Sequence, residues 1–134
     1  MKRTVCVDLD GVLADYSMGW KGLDHIGDPI PGAVELTQEL AKFADVLIFT
    51  TRCCEEMGRG LGKEMLRKIV KDWLDKHGFV YHEIWIGQGK PIASAYIDDR
   101  AICCRPQEDA RAFQSAVVKA QRLCEDAKKK DKVD

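Results

Sequence analysis

Two carboxylates separated by one residue, Asp8 and Asp10 in Val7-Asp8-Leu9-Asp10-Gly11, close the first apolar run of the chain. Three more polar groups follow in order: Thr50-Thr51-Arg52 after a second apolar run, Lys90 just ahead of a later one, and the adjacent pair Asp98-Asp99 at its end. If each run is a strand of one parallel sheet, all of these residues converge on one sheet edge. Four carboxylates gathered there repel one another unless a cation sits among them, and an oxygen-only set without His or Cys suits Mg²⁺. The expected cofactor is therefore Mg²⁺, with Asp8, Asp10, Asp98 and Asp99 as the metal-binding candidates.

A hard cation, a hydroxyl and a lysine around carboxylates make a site for a phosphate group, whose oxygens need charge neutralised from several directions in the transition state. Phosphoryl transfer is the chemistry this set suits. A carboxylate can also be the nucleophile, giving an aspartyl-phosphate and dividing hydrolysis into two easier steps. Residues two apart at a strand end point to the same side, so one aspartate can attack phosphorus while the other handles the proton. The phosphate-binding candidates are Thr50, Thr51, Arg52 and Lys90.

The elements that must position these groups are readable from patterning. Thr4–Asp8 is a β-branched run emptying into Gly11, and Asp45–Thr50 is a second buried strand. Between them, an irregular Gly-rich stretch from Ala14 to Pro31 precedes a helix of about three turns carrying Val34, Leu36, Leu40 and Phe43. After a polar loop with Gly58, Gly60 and Gly62 comes the clearest helix, with the stripe Met65, Leu66, Ile69, Val70, Trp73, Leu74, stopped by Gly78. Phe79–Ile86 reads as a third strand, Ala93–Asp98 as a fourth and Ala101–Cys104 as a short fifth. Pro106 then opens a last amphipathic helix with Ala110, Phe113, Val117, Ala120 and Leu123, and residues 127–134 read as a frayed tail. Strands alternating with helices, several of them too apolar for a wet face, predict an α/β fold of three layers around a mostly parallel sheet. In such sheets ligands bind outside the carboxyl ends of the strands, where the polar groups above fall.

These residues resemble the haloacid dehalogenase-like (HAD) phosphohydrolases. Asp8-Leu9-Asp10-Gly11-Val12 is similar to the family's first motif, Thr50 to its second, Lys90 to its third and Asp98-Asp99 to its fourth, in the family's order and across residues 5–100. The resemblance implies a Rossmann-like fold with Asp8 as nucleophile and magnesium ligand. It implies Asp10 as acid toward the leaving alcohol and then base toward water, with its backbone carbonyl also on the metal. Thr50 would hydrogen-bond the transferring phosphoryl group, Lys90 would balance charge around it, and Asp99 would hold Mg²⁺ with Asp98 behind it. An aspartate at position 10 resembles the phosphatase branch, which narrows the implied reaction to phosphoester hydrolysis.

Family members usually carry a cap domain, and neither gap here has room for one: residues 14–31 are too few, and residues 51–89 are used by one helix, one strand and their loops. The chain therefore resembles the capless branch, including small bacterial members whose last motif also reads Ile-Asp-Asp-Arg. An open site suits an exposed macromolecular phosphoester, or a phosphorylated small molecule if the 14–31 loop or a second subunit supplies the missing wall. A homo-oligomer is compatible with such a cleft and with Trp20 in the adjacent loop.

Each signal has a plainer reading. Asp8, Asp10, Asp98 and Asp99 can be turn punctuation, and Thr50 can be a strand-end hydroxyl satisfying backbone, with Thr51 as a competing register. Lys90 in Gly-Lys-Pro can be a surface loop residue. Lys21, His25, Arg52 and Arg100 can be surface charges near a polar cleft, or can select the substrate. Trp73 belongs to the core, His77 and His82 have no ligand role, and Cys53-Cys54 read as inert thiols. A receiver-type phosphoacceptor module also clusters Asp, Thr and Lys, but places its acidic pair first and its lone acceptor later, the reverse of this order. A nucleotide or polynucleotide-end phosphatase is an alternative enzyme, and a phosphate-binding module an alternative without catalysis.

Composition narrows the field. The 134 residues, 46% apolar and 32% charged, suit one globular domain over 1–134, long enough to bury about 68% of its unfolded surface. With 21 Lys and Arg against 22 Asp and Glu there is no global positive field, so nucleic acid is an unlikely partner. No apolar run reaches the roughly 20 residues of a membrane span, so no membrane partner is expected. Six cysteines, two adjacent pairs and two singles, fit neither zinc spacing nor a secreted disulfide framework and point to a reducing cytoplasm.

Overall fold

A computed structural model describes residues 3–53, 62–87 and 89–130. Four strands, β1 (Arg3–Val7), β2 (Ala44–Ile48), β3 (Glu83–Ile84) and β4 (Ala95–Ile97), form one sheet in the order β3-β2-β1-β4. Every pairing is parallel, with Val5 opposite Val46 and Ala95, and Val7 opposite Ile48 and Ile97. The chain steps outward from β1 to β2 to β3 and then returns to the far side of β1. That reversal places a topological switch point between β1 and β4, and a crevice opens beyond their carboxyl ends. Asp8 leaves β1 and Asp98 leaves β4 on either side of it, joined by the Asp8 N–H donating to the Ile97 carbonyl at 2.9 Å.

Helices α1 (Ala33–Ala41) and α2 (Lys63–Lys76) form the crossovers. In α2 the buried residues are Leu66, Val70 and Leu74, one per turn at a spacing of four, which sets a single apolar stripe against the sheet. In α1 they are Ala33, Thr37 and Leu40. Both stripes join the core cluster that contains Val5, Val7, Val46 and Ile48, the alternate residues on one face of β1 and β2. Burying each such Leu, Ile or Val contributes about 1.5–3 kcal/mol. Thr37 enters this core because its hydroxyl donates to the Val34 carbonyl at 2.7 Å and accepts the Val80 N–H at 3.2 Å. Gly78, with φ +78°, ends α2 where a left-handed residue is needed.

The expected α/β class and parallel sheet are present, with several differences in detail. The expected strand Phe79–Ile86 is reduced to Glu83–Ile84. Phe79 turns inward and stacks on Trp73 at 5.1 Å, and the His82 imidazole accepts the Val46 N–H at 2.8 Å, taking a ladder position that a backbone carbonyl would otherwise fill. No strand forms at Ala101–Cys104, where Cys103 and Cys104 are exposed. The last helix, α3 (Ala112–Lys130), starts at Ala112 instead of Pro106, because a turn closed by Arg105 and Glu108 precedes it and the Asp109 carboxylate accepts the Arg111 N–H at 2.9 Å. Its expected apolar stripe is open to solvent at Phe113 and Val117, each 68% exposed. Phe43 lies past the end of α1 and is exposed. The helix reaches Lys130, into the stretch expected to fray, while residues 131–134, Cys54, Gly58 and Gly60 lie outside the described residues. Among the described residues no helix is long and apolar enough to cross a membrane.

Candidate active site

Asp8 follows a strand whose last three residues are buried, so its carboxylate is carried out of the core at a fixed place. Leu9, fully buried, anchors the next position, and its N–H donates to Asp8 Oδ1 at 2.9 Å. The backbone then turns tightly: the N–H groups of Leu13 and Ala14 both donate to the Leu9 carbonyl, and Gly11 adopts φ +90°. The positive φ favours glycine at position 11, and a Cβ there would also press on the Asp99 carboxylate, which would have to shift. The absence of a side chain lets the two strand ends meet.

Asp8, Asp98 and Asp99 thereby offer carboxylate oxygens that all lie within 4.8 Å of one another. Asp98 is held by its own turn, its Oδ1 accepting the Arg100 N–H at 2.7 Å. Burial first, then the charges of Asp98 and Asp99 and a hydrogen bond shared with Asp99, push the Asp8 carboxyl up to about 8 against the opposing pull of the Leu9 N–H. Three clustered carboxylates, offering oxygen donors alone, fit a small hard divalent cation such as Mg²⁺. Asp8, Asp98 and Asp99 are the residues that could hold it.

Asp10 is turned elsewhere. Arg52 Nε donates to its Oδ2 at 2.7 Å and Nη2 to its Oδ1 at 3.0 Å, a two-pronged ion pair with side-chain exposures of 3% for the arginine and 15% for the aspartate. The same guanidinium donates through Nη1 to the carbonyls of Gly22 and Leu23, both at 2.9 Å, and through Nη2 to that of His25 at 3.0 Å. Its Cζ lies 4.7 Å from the centre of the Trp20 ring. Sequence reasoning placed Arg52 near the site but missed these partners. The available signals were a second carboxylate in need of a counter-ion and a tryptophan in the loop beside it.

Thr50 is buried, and its hydroxyl accepts the Arg52 N–H at 3.2 Å, leaving its own proton to donate. Thr51 is exposed and opens a single 3-10 turn, Thr51–Cys53. Lys90 is exposed, with its ammonium 4.4 Å over the Tyr96 ring, whose hydroxyl donates to the Pro91 carbonyl. Lys90, Asp8 and Asp98 line one cavity of about 600 Å³ together with Cys6, Tyr96 and Ile97. On the other side of the first turn, Asp10, Arg52, Tyr16, Lys21 and His25 line a smaller one of about 290 Å³. The structure thus brings Asp8, Lys90, Asp98 and Asp99 together and sets Asp10 and Arg52 against a different chamber. Burial pushes the Cys53 thiol up to about 11, which suits an inert side chain.

No protein-family model matches the chain, and no curated protein matches it. A target protein from Vibrio cholerae, known from its crystal structure, is similar to it at 28% identity, covering 91% of this chain and 98% of that one with a TM-score of 0.48.

Proposed function

We propose that the chain is a Mg²⁺-dependent phosphatase that hydrolyses phosphomonoesters through an aspartyl-phosphate on Asp8. The observation that carries this reading is the cluster of Asp8, Asp98 and Asp99 at the switch point of a parallel sheet. Bound there, Mg²⁺ would supply positive charge against the carboxylates and the phosphoryl oxygens.

The chain's own residues carry the rest. An Asp8 carboxylate oxygen forms a bond to phosphorus as the bond to the leaving oxygen breaks. To give that oxygen its proton, Asp10 must first take one up and face the Asp8 cavity, since here Arg52 holds both its oxygens in the second chamber. Asp10 then takes a proton from water, whose oxygen attacks phosphorus and releases inorganic phosphate and a free Asp8. Thr50 donates its hydroxyl proton to the phosphoryl group, and Lys90 contributes charge from the cavity it shares with Asp8. The substrate class is a phosphorylated small molecule or an accessible macromolecular phosphoester. The reading includes a three-layer, capless HAD-like domain over residues 1–134, working in the reducing cytoplasm that its free thiols suit.

The test is turnover of a phosphomonoester panel by the purified protein with Mg²⁺ or with chelator, beside Asp8→Asn. Metal-dependent turnover that disappears in the folded variant is expected. Turnover that survives either chelation or the substitution contradicts the reading.

A further inference from the structure

We propose that Arg52 is a positioning residue with two linked tasks: it aims the Asp10 carboxylate, and it straps residues 15–28 down as a fixed wall of the site. The guanidinium has five N–H donors, and all five are used within the chain, two on Asp10 and three on the carbonyls of Gly22, Leu23 and His25. One face lies against Trp20 and the side chain is nearly inaccessible. No donor is left for a substrate phosphate.

The segment it grips is closed at its base without Arg52. The Asp15 N–H donates to the Asp28 carbonyl at 2.8 Å and the Ile30 N–H to that of Leu13 at 2.9 Å. Gly27 packs so tightly on this base that a Cβ would lie 2.0 Å from the Asp15 carbonyl oxygen, and Trp73 Nε1 donates to the Gly27 carbonyl at 3.1 Å. The far part of the loop, residues 20–25, is where Arg52 attaches. Wall and acid therefore share one anchor, and lysine, with three donors on a point charge, cannot serve both.

The aiming task rests on the phosphatase reading, whereas the strap does not. Proton donation matters for a poor leaving group and little for a good one, so kcat/KM is compared for an alkyl phosphate and p-nitrophenyl phosphate with Mg²⁺. Arg52→Lys is expected to lose about 100-fold on the alkyl ester and under about 10-fold on the aryl ester, with KM for the latter unchanged, and Asp10→Asn to show the same asymmetry. Equal losses on both esters with a raised KM would place Arg52 on the phosphate and overturn the aiming task. Trypsin cleavage after Lys21 in the native protein reads the strap: Arg52→Lys should accelerate it at least about tenfold while the melting transition persists, a loss of about 1.4 kcal/mol of local protection. An unchanged rate overturns the strap. Trp20→Leu, which keeps all five hydrogen bonds, reads the same cleavage if Arg52→Lys does not fold. If the wild type hydrolyses neither ester, the phosphatase reading and the aiming task fail together, while the cleavage still decides the strap.

Discussion

Asp8 and Asp10 sit one residue apart on the same turn, and the chain treats their charges in opposite ways. Asp10 receives a dedicated counter-ion, with both oxygens held by an arginine that the fold has buried for the purpose. Asp8 receives two further carboxylates and a single backbone N–H. The contrast separates a charge that the chain pairs itself from one that, on the proposed reading, is met by a cation from solution. A charge that is buried and paired is part of the scaffold, and a part-buried carboxyl set among like charges either keeps its proton or takes a cation.

The strongest way to break this comparison is at Asp8. On the phosphatase reading, Asp8→Asn should lower turnover by about 10⁴-fold or more, because it removes the proposed nucleophile, while circular dichroism shows an intact fold. Arg52→Met should instead injure the scaffold, costing about 3–5 kcal/mol in urea unfolding, since it leaves a partly buried carboxylate without its partner. If Arg52→Met melts like wild type, Asp10 does not depend on the pair.

Metal removal sharpens the comparison through pH. In the unfolded chain Asp8 ionises near 3.8, and in the folded, metal-free chain near 8. The unfolded state sheds its proton first, so metal-free stability should fall as the pH rises across that window. A cation needs the ionised carboxylate, so the gain in melting temperature on adding Mg²⁺ should grow from pH 5 to pH 8.5. At a hundredfold excess over Kd the gain corresponds to about 2.7 kcal/mol. A gain independent of pH would remove Asp8 from the metal site.

Two smaller effects separate the site from the surface. Gly11→Ala should cost about 1–3 kcal/mol, since the new methyl both meets Asp99 and forces a side chain into positive φ. Val117→Ser on α3 should change urea stability by less than about 0.5 kcal/mol, because the residue is open to solvent.

What the sequence made legible follows the same division. The apolar runs of β1 and β2, the stripe of α2 and the aspartates at strand ends were readable because each is a local pattern with a period. β3 was overextended because Phe79–Ile86 is apolar enough for a strand, and only the fold shows a histidine ring occupying one ladder position and Phe79 turned onto Trp73. The α3 stripe was readable as a helix, but whether it is buried depends on what lies opposite, which periodicity does not contain. Arg52 was the hardest to read. Three of its five partners are backbone carbonyls, which have no residue type, brought to it from more than 25 positions away.

The most direct test of the contrast between the two aspartates is a calorimetric titration of Mg²⁺ into wild type, Asp8→Asn and Asp10→Asn at pH 8.5. Binding should be present in wild type and in Asp10→Asn, and lost in Asp8→Asn. Equal binding by wild type and Asp8→Asn, or no binding by wild type, would contradict the account.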